Sequence, residues 1–386
     1  MDLAYTAHEK AFRAEARSWL ESNVPPEPLP SFDTPEGAKA HRAWERKLND
    51  AGWAMVSWPK EYGGRGVNLL EWLIFEEEYW RVEAPLRFNQ NGIFLLGPTL
   101  MEYGTEEQKK RFLPPMAAGE EIWAQGWSEP GAGSDMAAIR STARIDGDDF
   151  VLDGQKIWST RAVFADWLFG MFRSDPDSER HKGLTFVLVP LDTPGVTVRP
   201  ISQLDGLPGF AEVFFEEARV PRWNQLGDLG AGWKVAMATA GFERGLMLRS
   251  PARFQAAARR LVELYKRHRE ECDDTIRDAV VRAWSNAEAY CLSTYRTATR
   301  MVAGGTIGSE ASLNKIFWSE MDVHLHETAL SILEARSELL PHAPAAGDVD
   351  RWLDGFLFSL AGPIYAGTNE IQRNVIAERV LGLPRG

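Results

Sequence analysis

The sequence predicts a mainly helical protein with one β-domain at its centre. Three observations carry that prediction. Roughly the first 120 residues repeat their apolar side chains at intervals of three and four, the spacing of one helix face. Between about Ile122 and Gly227 the pattern becomes alternation punctuated by turn residues. From Gly232 the helical period returns and runs through two segments of about 30 residues, long enough for the antiparallel helices of a bundle. The expected domains are 1–121 (all-α), 122–228 (β) and 229–386 (a helical bundle).

In the first domain, "AHEKAFRAEARSWLES", "AHRAWERKLNDAGW" and "LLEWLIFEEEYWRVEA" are the helical stretches. "GTEEQKKRFLPPMAAG" closes it with a threonine cap followed by charged first turns. "VPPEPLPSFDTPEG" is a proline-rich connector and "WPKEYGGRG" a loop. In the β-domain, "STARIDGDDFVLDGQKIWST" alternates, with turns expected at Asp146-Gly147 and Asp153-Gly154. "GLTFVLVPLD", "GVTVRPIS" and "AEVFFEEARVP" add short strands, which suggests an antiparallel barrel or sandwich of roughly 100 residues. No βαβ pattern is present. The last domain runs through "GWKVAMATAGFERGLMLRS", "PARFQAAARRLVELYKRHRE" and the two long periodic segments, with "PHAPAAGD" as a linker.

At 386 residues the chain can bury a large core. It has 43 basic and 55 acidic residues, a net charge of −12, which argues against a nucleic-acid footprint. Cys272 and Cys291 form no CxxC or Cys/His cluster and read as thiols of a reducing compartment. His324 and His326 lie two apart on a predicted helix, so they diverge, and no metal site is visible. No run of roughly 18 apolar residues exists, and the first 20 residues read as an amphipathic helix rather than a signal peptide. The expectation is a soluble cytoplasmic protein without membrane or nucleic-acid partners.

Two stretches can carry chemistry. "WSEPGAGSD", Trp127 to Asp135, offers several backbone N–H groups and a hydroxyl in one tight turn, a composition that suits a pyrophosphate and equally suits an ordinary surface turn. It is neither a dinucleotide fingerprint, lacking the βαβ unit, nor a P-loop, lacking the Lys and Thr/Ser. "GQKIWST" places Trp158 and Thr160 two apart on a strand, expected on one side, as a flat indole beside a hydroxyl or as a core Trp beside a strand Thr.

Together with "EYGG", "YGTEEQKKRFLP" and "YAGTNEIQRNVIAERVLGLPR", these stretches strongly resemble the acyl-CoA dehydrogenase family over essentially the whole chain. The resemblance implies FAD, and an N-terminal helical domain, an antiparallel β-barrel and a C-terminal four-helix bundle. It implies that Ser134 and Gly133 meet the pyrophosphate, that Gln125, Trp127 and Ser128 line the isoalloxazine, and that Trp158 and Thr160 lie against the ring. Thr368 and Glu370 match further FAD-contacting positions. Ser134, Arg244, Ala366 and Gly367 match substrate-contacting ones.

The family reaction removes the α-proton of an acyl thioester as hydride leaves the β-carbon, so it needs a carboxylate base and donors for the developing oxyanion. Many members carry that Glu directly after the Tyr of the terminal turn. This chain has Ala366 there, which offers only its backbone N–H. A second branch, resembling isovaleryl- and long-chain acyl-CoA dehydrogenases, carries the base in a Glu-Arg pair about ten residues after Gly-Trp. "GWKVAMATAGFERG" reproduces that spacing with Gly232-Trp233 and Glu243-Arg244. Thr239, Ala240, Leu246 and Met247, the helical neighbours of Glu243, are small or apolar and would raise its pKa toward that of a useful base. Arg244 would contact the CoA end.

Two departures concern the FAD half-site that a neighbouring subunit donates. The family's Gln-x-x-Gly-Gly loop is replaced by "ILEARSELLPHAP", and Thr306 stands near where an Arg usually meets the pyrophosphate. The expected assembly is therefore a tetramer, homomeric or with a homologous chain, passing electrons to an electron-transfer flavoprotein. An oxidase or monooxygenase of the same fold, and a non-catalytic subunit, are the alternative readings.

Overall fold

The structure, a computed structural model, describes residues 4–243, 250–309, 311–339, 343 and 349–384. Its early helices begin where side-chain caps satisfy the free N–H groups of a first turn. α1 (Ala7–Asn23) starts on Thr6, which forms a capping box with Glu9. α2 (Pro35–Asp50) starts on Thr34, with Pro35 pre-set for the first turn. α3 (Leu69–Arg81) starts on Asn68, boxed with Glu71. A π-helical turn over Asn91–Leu96 leads into α4 (Gly97–Tyr103). Thr105, boxed with Gln108, then caps α5 (Glu106–Ala117).

The strands are β1 (Trp123–Gly126), β2 (Thr142–Asp146), β3 (Asp149–Thr160), β4 (Trp167–Arg173), β5 (Leu184–Pro190), β6 (Val196–Ile201), β7 (Phe210–Pro221) and β8 (Gln225–Leu226). They form one eight-stranded sheet in the order β6-β7-β3-β2-β4-β5-β8, with β1 joined to β4. The long pairings β2–β3, β3–β7, β4–β5 and β6–β7 are antiparallel as expected, but β1 runs parallel to β4, so the sheet is mixed. Asp146-Gly147 opens the β2–β3 hairpin. Asp153-Gly154 is not a turn. It sits inside β3 at a register shift, where a Cβ on Gly154 would lie 2.4 Å from Ser141 Oγ.

After α6 (Gly232–Glu243) come α7 (Pro251–Arg267), α8 (Asp274–Val302), α9 (Ala311–Leu333), α10 (Val349–Ser359) and α11 (Asn369–Val375). No described helix is long and apolar enough to cross a membrane.

The chain packs into two compact units that do not follow its linear order. One gathers α1, α3 and α7 to α11, and its core includes Phe254, Leu261, Tyr290, Trp318, Leu325, Ile332 and Trp352. Each such side chain contributes about 1.5–3 kcal/mol by leaving water. The other holds Pro25–Val67 and Pro85–Glu243, and its sheet is filled by Phe150, Leu152, Leu168, Phe172, Val187, Val213 and Phe215. There the fully buried Asn89 accepts from Trp123 N at 3.0 Å and donates to the carbonyls of Met116 and Glu121. Those bonds fix the end of α5 to the start of β1, and β1 leads into the glycine-rich turn.

Candidate functional site

The sheet unit carries the first group of site residues. β1 holds Gln125, half-buried, and then delivers Trp127 into the interior, edge-on to Phe169 at 6.5 Å. The buried Trp127 Nε1 has no hydrogen-bond partner among the described residues. Beyond it, Glu129 and Ala132 exchange two backbone bonds of 3.0 Å and close a tight turn. On that turn Gly131, Gly133 and Ser134 are exposed. A Cβ placed on Gly131 or Gly133 would meet nothing within 4 Å, so this backbone is open to close approach by a ligand.

The second motif docks directly on the first. Ile157 N donates to the carbonyl of Ser128 at 2.9 Å, which joins β3 to the turn. Here the expected strand alternation fails. Lys156 pairs with Val213 and Ser159 with Ala211, so Ile157 and Trp158 together oppose the single residue Glu212. The bulge forces Trp158 to φ +60° and leaves its indole 57% exposed, edge-on to Phe210. The slip falls before Trp158, so Lys156 and Trp158 lie on opposite sides although two apart, while Trp158 and Thr160 share the outward side with Ser159 turned in between them. Ser159 turns inward, with its buried Oγ unpartnered among the described residues, and the half-buried Thr160 pairs with Phe210 in the ladder. A large exposed indole on strained backbone is costly unless something flat covers it.

Sequence reasoning missed the pair that holds these motifs together. Lys156 is fully buried, and its Nζ reaches Glu129 Oε1 at 2.7 Å and the Met171 carbonyl at 2.7 Å, over the face of Phe172. Glu129 also accepts from the backbone N–H groups of Arg140 (2.6 Å) and Ser141 (2.9 Å). Burial pushes the Lys156 ammonium down to about 8, against the pull of Glu129. Burial also opposes ionisation of Glu129, but Lys156 and the two N–H donors outweigh it and hold the carboxyl below its usual range. The available signal was weak, a single Lys in a strand that also carries Asp149, Asp153 and Gln155, following a Glu in the neighbouring motif.

The remaining turn lies in the helical unit. Ala366 and Gly367 both adopt left-handed backbone, at φ +57° and +78°. Thr368 caps α11 by accepting from Ile371 N at 3.2 Å. Glu370 is exposed, and its own backbone N–H together with the Thr368 hydroxyl holds its carboxyl below the ordinary range. Asn369 is buried, with its Oδ1 taking Lys315 Nζ at 2.8 Å and Ser319 Oγ at 3.2 Å.

α6 ends at Glu243. One turn earlier, Thr239 is fully buried against Thr99 Oγ1 (2.9 Å), and Ala240 is buried too. The Glu243 side chain lies outside the described residues, as do Arg244, Leu246 and Met247. The replacement for the Gly-Gly loop is described only in part, since Leu340–His342 and Pro344 also lie outside. Thr306 accepts from Arg300 through its carbonyl at 3.1 Å. His324 is exposed beside Glu327, whereas His326 is buried against Trp352, and no cluster able to hold a metal exists among the described residues.

The chain thus sets helices before and after a central sheet, with an open glycine turn locked beside a projecting indole. Comparison with known families agrees over nearly the full length. The acyl-CoA dehydrogenase N-terminal domain matches residues 6–120, the middle domain 124–218 and the C-terminal domain 230–381. The chain belongs to the acyl-CoA dehydrogenase family. It is 42% identical over 381 residues to the acyl-CoA dehydrogenase IpdE1 of Mycobacterium tuberculosis, with 97% of each chain covered. Among solved structures, the Tcur3481-Tcur3483 steroid acyl-CoA dehydrogenase superposes with TM-score 0.89 at 30% identity, covering 100% of both chains. The ChsE4-ChsE5 complex from Mycobacterium tuberculosis superposes with TM-score 0.85 at 31% identity, again covering 100% of both.

Proposed function

We propose that this chain is a catalytic subunit that binds FAD and desaturates the acyl group of a CoA thioester between its α- and β-carbons. The observation that carries this reading is the built half-site of the sheet unit. The turn and the Trp158 bulge are locked together, a buried indole donor lacks a partner among the described residues, and two glycines leave backbone open. These residues fit FAD. Gly133 and Ser134 would hold the pyrophosphate, while Gln125, Trp127, Ser128, Trp158 and Thr160 would line the ring, and Thr368 and Glu370 match further FAD-contacting positions of the family. When bound, the flavin supplies the hydride acceptor.

The chain's own contribution is to hold the thioester and take the proton. Glu243 is the base, since position 366 holds no carboxylate. The N–H groups of the Ala366–Gly367 turn receive the oxyanion, and Arg244 and Ser134 contact the substrate. The preferred acyl group is bulky and steroid-like, as in the steroid acyl-CoA dehydrogenase it resembles. The working assembly includes a homologous chain whose side chains hold the FAD pyrophosphate where Thr306 cannot, and an electron-transfer flavoprotein takes the electrons.

The test is an anaerobic titration of the purified protein, alone and co-expressed with a homologous chain, against a panel of acyl-CoAs, read by bleaching of the flavin absorbance. Glu243→Gln keeps FAD and slows that bleaching by roughly 10²–10⁴-fold. Wild-type reduction rates in Glu243→Gln would place the base elsewhere. A colourless protein that takes up no FAD in either preparation points to the non-catalytic subunit, and rapid turnover with oxygen alone to the oxidase.

A further inference from the structure

Ala366 is a non-glycine residue in left-handed backbone, next to a second left-handed residue, Gly367. Such a pair persists only where its surroundings over-determine it. The restraint comes from α11. Gln372 is fully buried, and its Nε2 donates to the carbonyl oxygens of both Ala366 (3.2 Å) and Gly367 (3.3 Å). Its Oε1 accepts from the Ser312 hydroxyl of α9 at 2.7 Å, and Ser312 is buried as well. The amide therefore has one orientation, because a flip would face Oε1 to two carbonyl oxygens. Asn369, held by Lys315 and Ser319, ties the other side of the turn to α9 and donates its N–H to Pro363 O at 2.9 Å.

In a trans peptide the carbonyl and the following N–H point in opposite directions. Drawing the oxygens of Ala366 and Gly367 onto Gln372 therefore turns the N–H groups of Gly367 and Thr368 away from it. Those two N–H groups and that of Ala366 donate to nothing among the described residues. We propose that Gln372, oriented by Ser312, is a positioning residue for the dehydrogenation. It grips the two carbonyls from behind, holds the left-handed turn, and so sets the backbone N–H donors that meet the thioester oxygen. This rests on the turn being the oxyanion donor of the proposed reaction. Gln372 itself touches no substrate.

The experiment uses the FAD-loaded protein in its native assembly and compares wild type with Gln372→Met, Gln372→Glu and Ser312→Ala. Hydrogen exchange is read at the Asn369 amide, which bonds across the turn to Pro363 O, and anaerobic flavin reduction is read with a saturating acyl-CoA. Gln372→Met should keep its flavin spectrum, exchange that amide roughly tenfold faster and reduce flavin roughly 10- to 100-fold more slowly. Ser312→Ala should show the same changes in weaker form. Gln372→Glu can donate to the carbonyls only when protonated, so its reduction rate relative to wild type at the same pH should fall as pH rises through the carboxyl range. Unchanged exchange in Gln372→Met and Ser312→Ala overturns the proposal. So does faster exchange accompanied by wild-type reduction in Gln372→Met and a Gln372→Glu to wild-type rate ratio that stays constant with pH. If wild type is reduced by no thioester, the oxyanion reading fails and takes the catalytic part of this proposal with it, while the exchange data still decide whether Gln372 holds the turn.

Discussion

Replacing Glu78 with Gln should loosen α1, and the loosening should fade in acid. Glu78 lies on α3 with its side chain only 1% exposed, yet it accepts from three arginines. Arg13 and Arg17 of α1 reach it at 2.8–2.9 Å, and Arg81 of α3 at 2.8 Å. Burial alone would raise this carboxyl, but the bonds from Arg17, Arg81 and Arg13 more than offset it and hold it at about 2, against an ordinary 4.5. A folded-state pKa below the unfolded one contributes stability that is present above about 4.5 and lost as pH falls through about 2. At about 1.36 kcal/mol per unit the ceiling is about 3 kcal/mol. Arg17 and Arg81 keep 47% and 36% of their side chains exposed, and solvent screening brings the working figure to about 2 kcal/mol. Near pH 6, hydrogen exchange through local opening of α1 should run roughly 30-fold faster in Glu78→Gln than in wild type. By about pH 3 the linkage leaves under half of the gap. Equal exchange ratios at the two pH values would refute the argument.

Two other substitutions have defined outcomes. Gly64→Ala puts a Cβ 1.9 Å from the Trp58 carbonyl oxygen, a backbone atom that cannot swing aside, and should cost about 3 kcal/mol in denaturant unfolding, whereas an unchanged midpoint would show that the loop relaxes freely. Lys156→Met leaves the Glu129 carboxylate buried without its cation and should destabilise by about 3 kcal/mol, while Lys156→Met with Glu129→Gln should recover part of that loss, and strict additivity of the two changes would refute coupling.

The parts readable from sequence were those whose physics is local. Thr105 announces its helix because a hydroxyl three residues before Gln108 satisfies a specific N–H group, and Asp146-Gly147 announces its hairpin because Gly147 takes positive φ. The glycine turn and the Trp158 segment stand out in composition, but composition alone fits an ordinary surface turn and a strand Trp, and their site role rests on the family resemblance. What went unread depends on distant partners. Asp153-Gly154 has the composition of a turn, but Ser141 packs where a Cβ would stand, so the glycine serves a bulge. The Trp158 bulge defeats alternation because the extra residue is defined only against β7. Nor does period reveal which unit a helix joins. α3 buries Trp72, Leu73, Ile74, Phe75 and Tyr79 together with Glu71, Glu76 and Glu78, so nearly every face is covered, and it packs with α1, α7 and α8 rather than with its neighbours in sequence.

Position 366 brings local and distant constraints together. Left-handed backbone at a residue with a Cβ costs about 1 kcal/mol, and glycine would relieve it. If the turn served only to carry a side chain into the site, losing the carboxylate would remove the reason to keep that conformation. The chain instead keeps φ +57° at Ala366 and restrains it through the buried Gln372, whose amide has no other role among the described residues than to grip the two carbonyls and accept from Ser312. Such investment is intelligible when backbone N–H groups, rather than a side chain, are what the turn presents. On the proposed mechanism the two tasks of α-proton removal are then divided, with the proton going to a carboxylate at the end of α6 and the oxyanion to backbone donors on the terminal turn. Backbone donors fixed in advance need little reorganisation as charge develops, so on this mechanism the turn can serve the oxyanion with alanine at position 366.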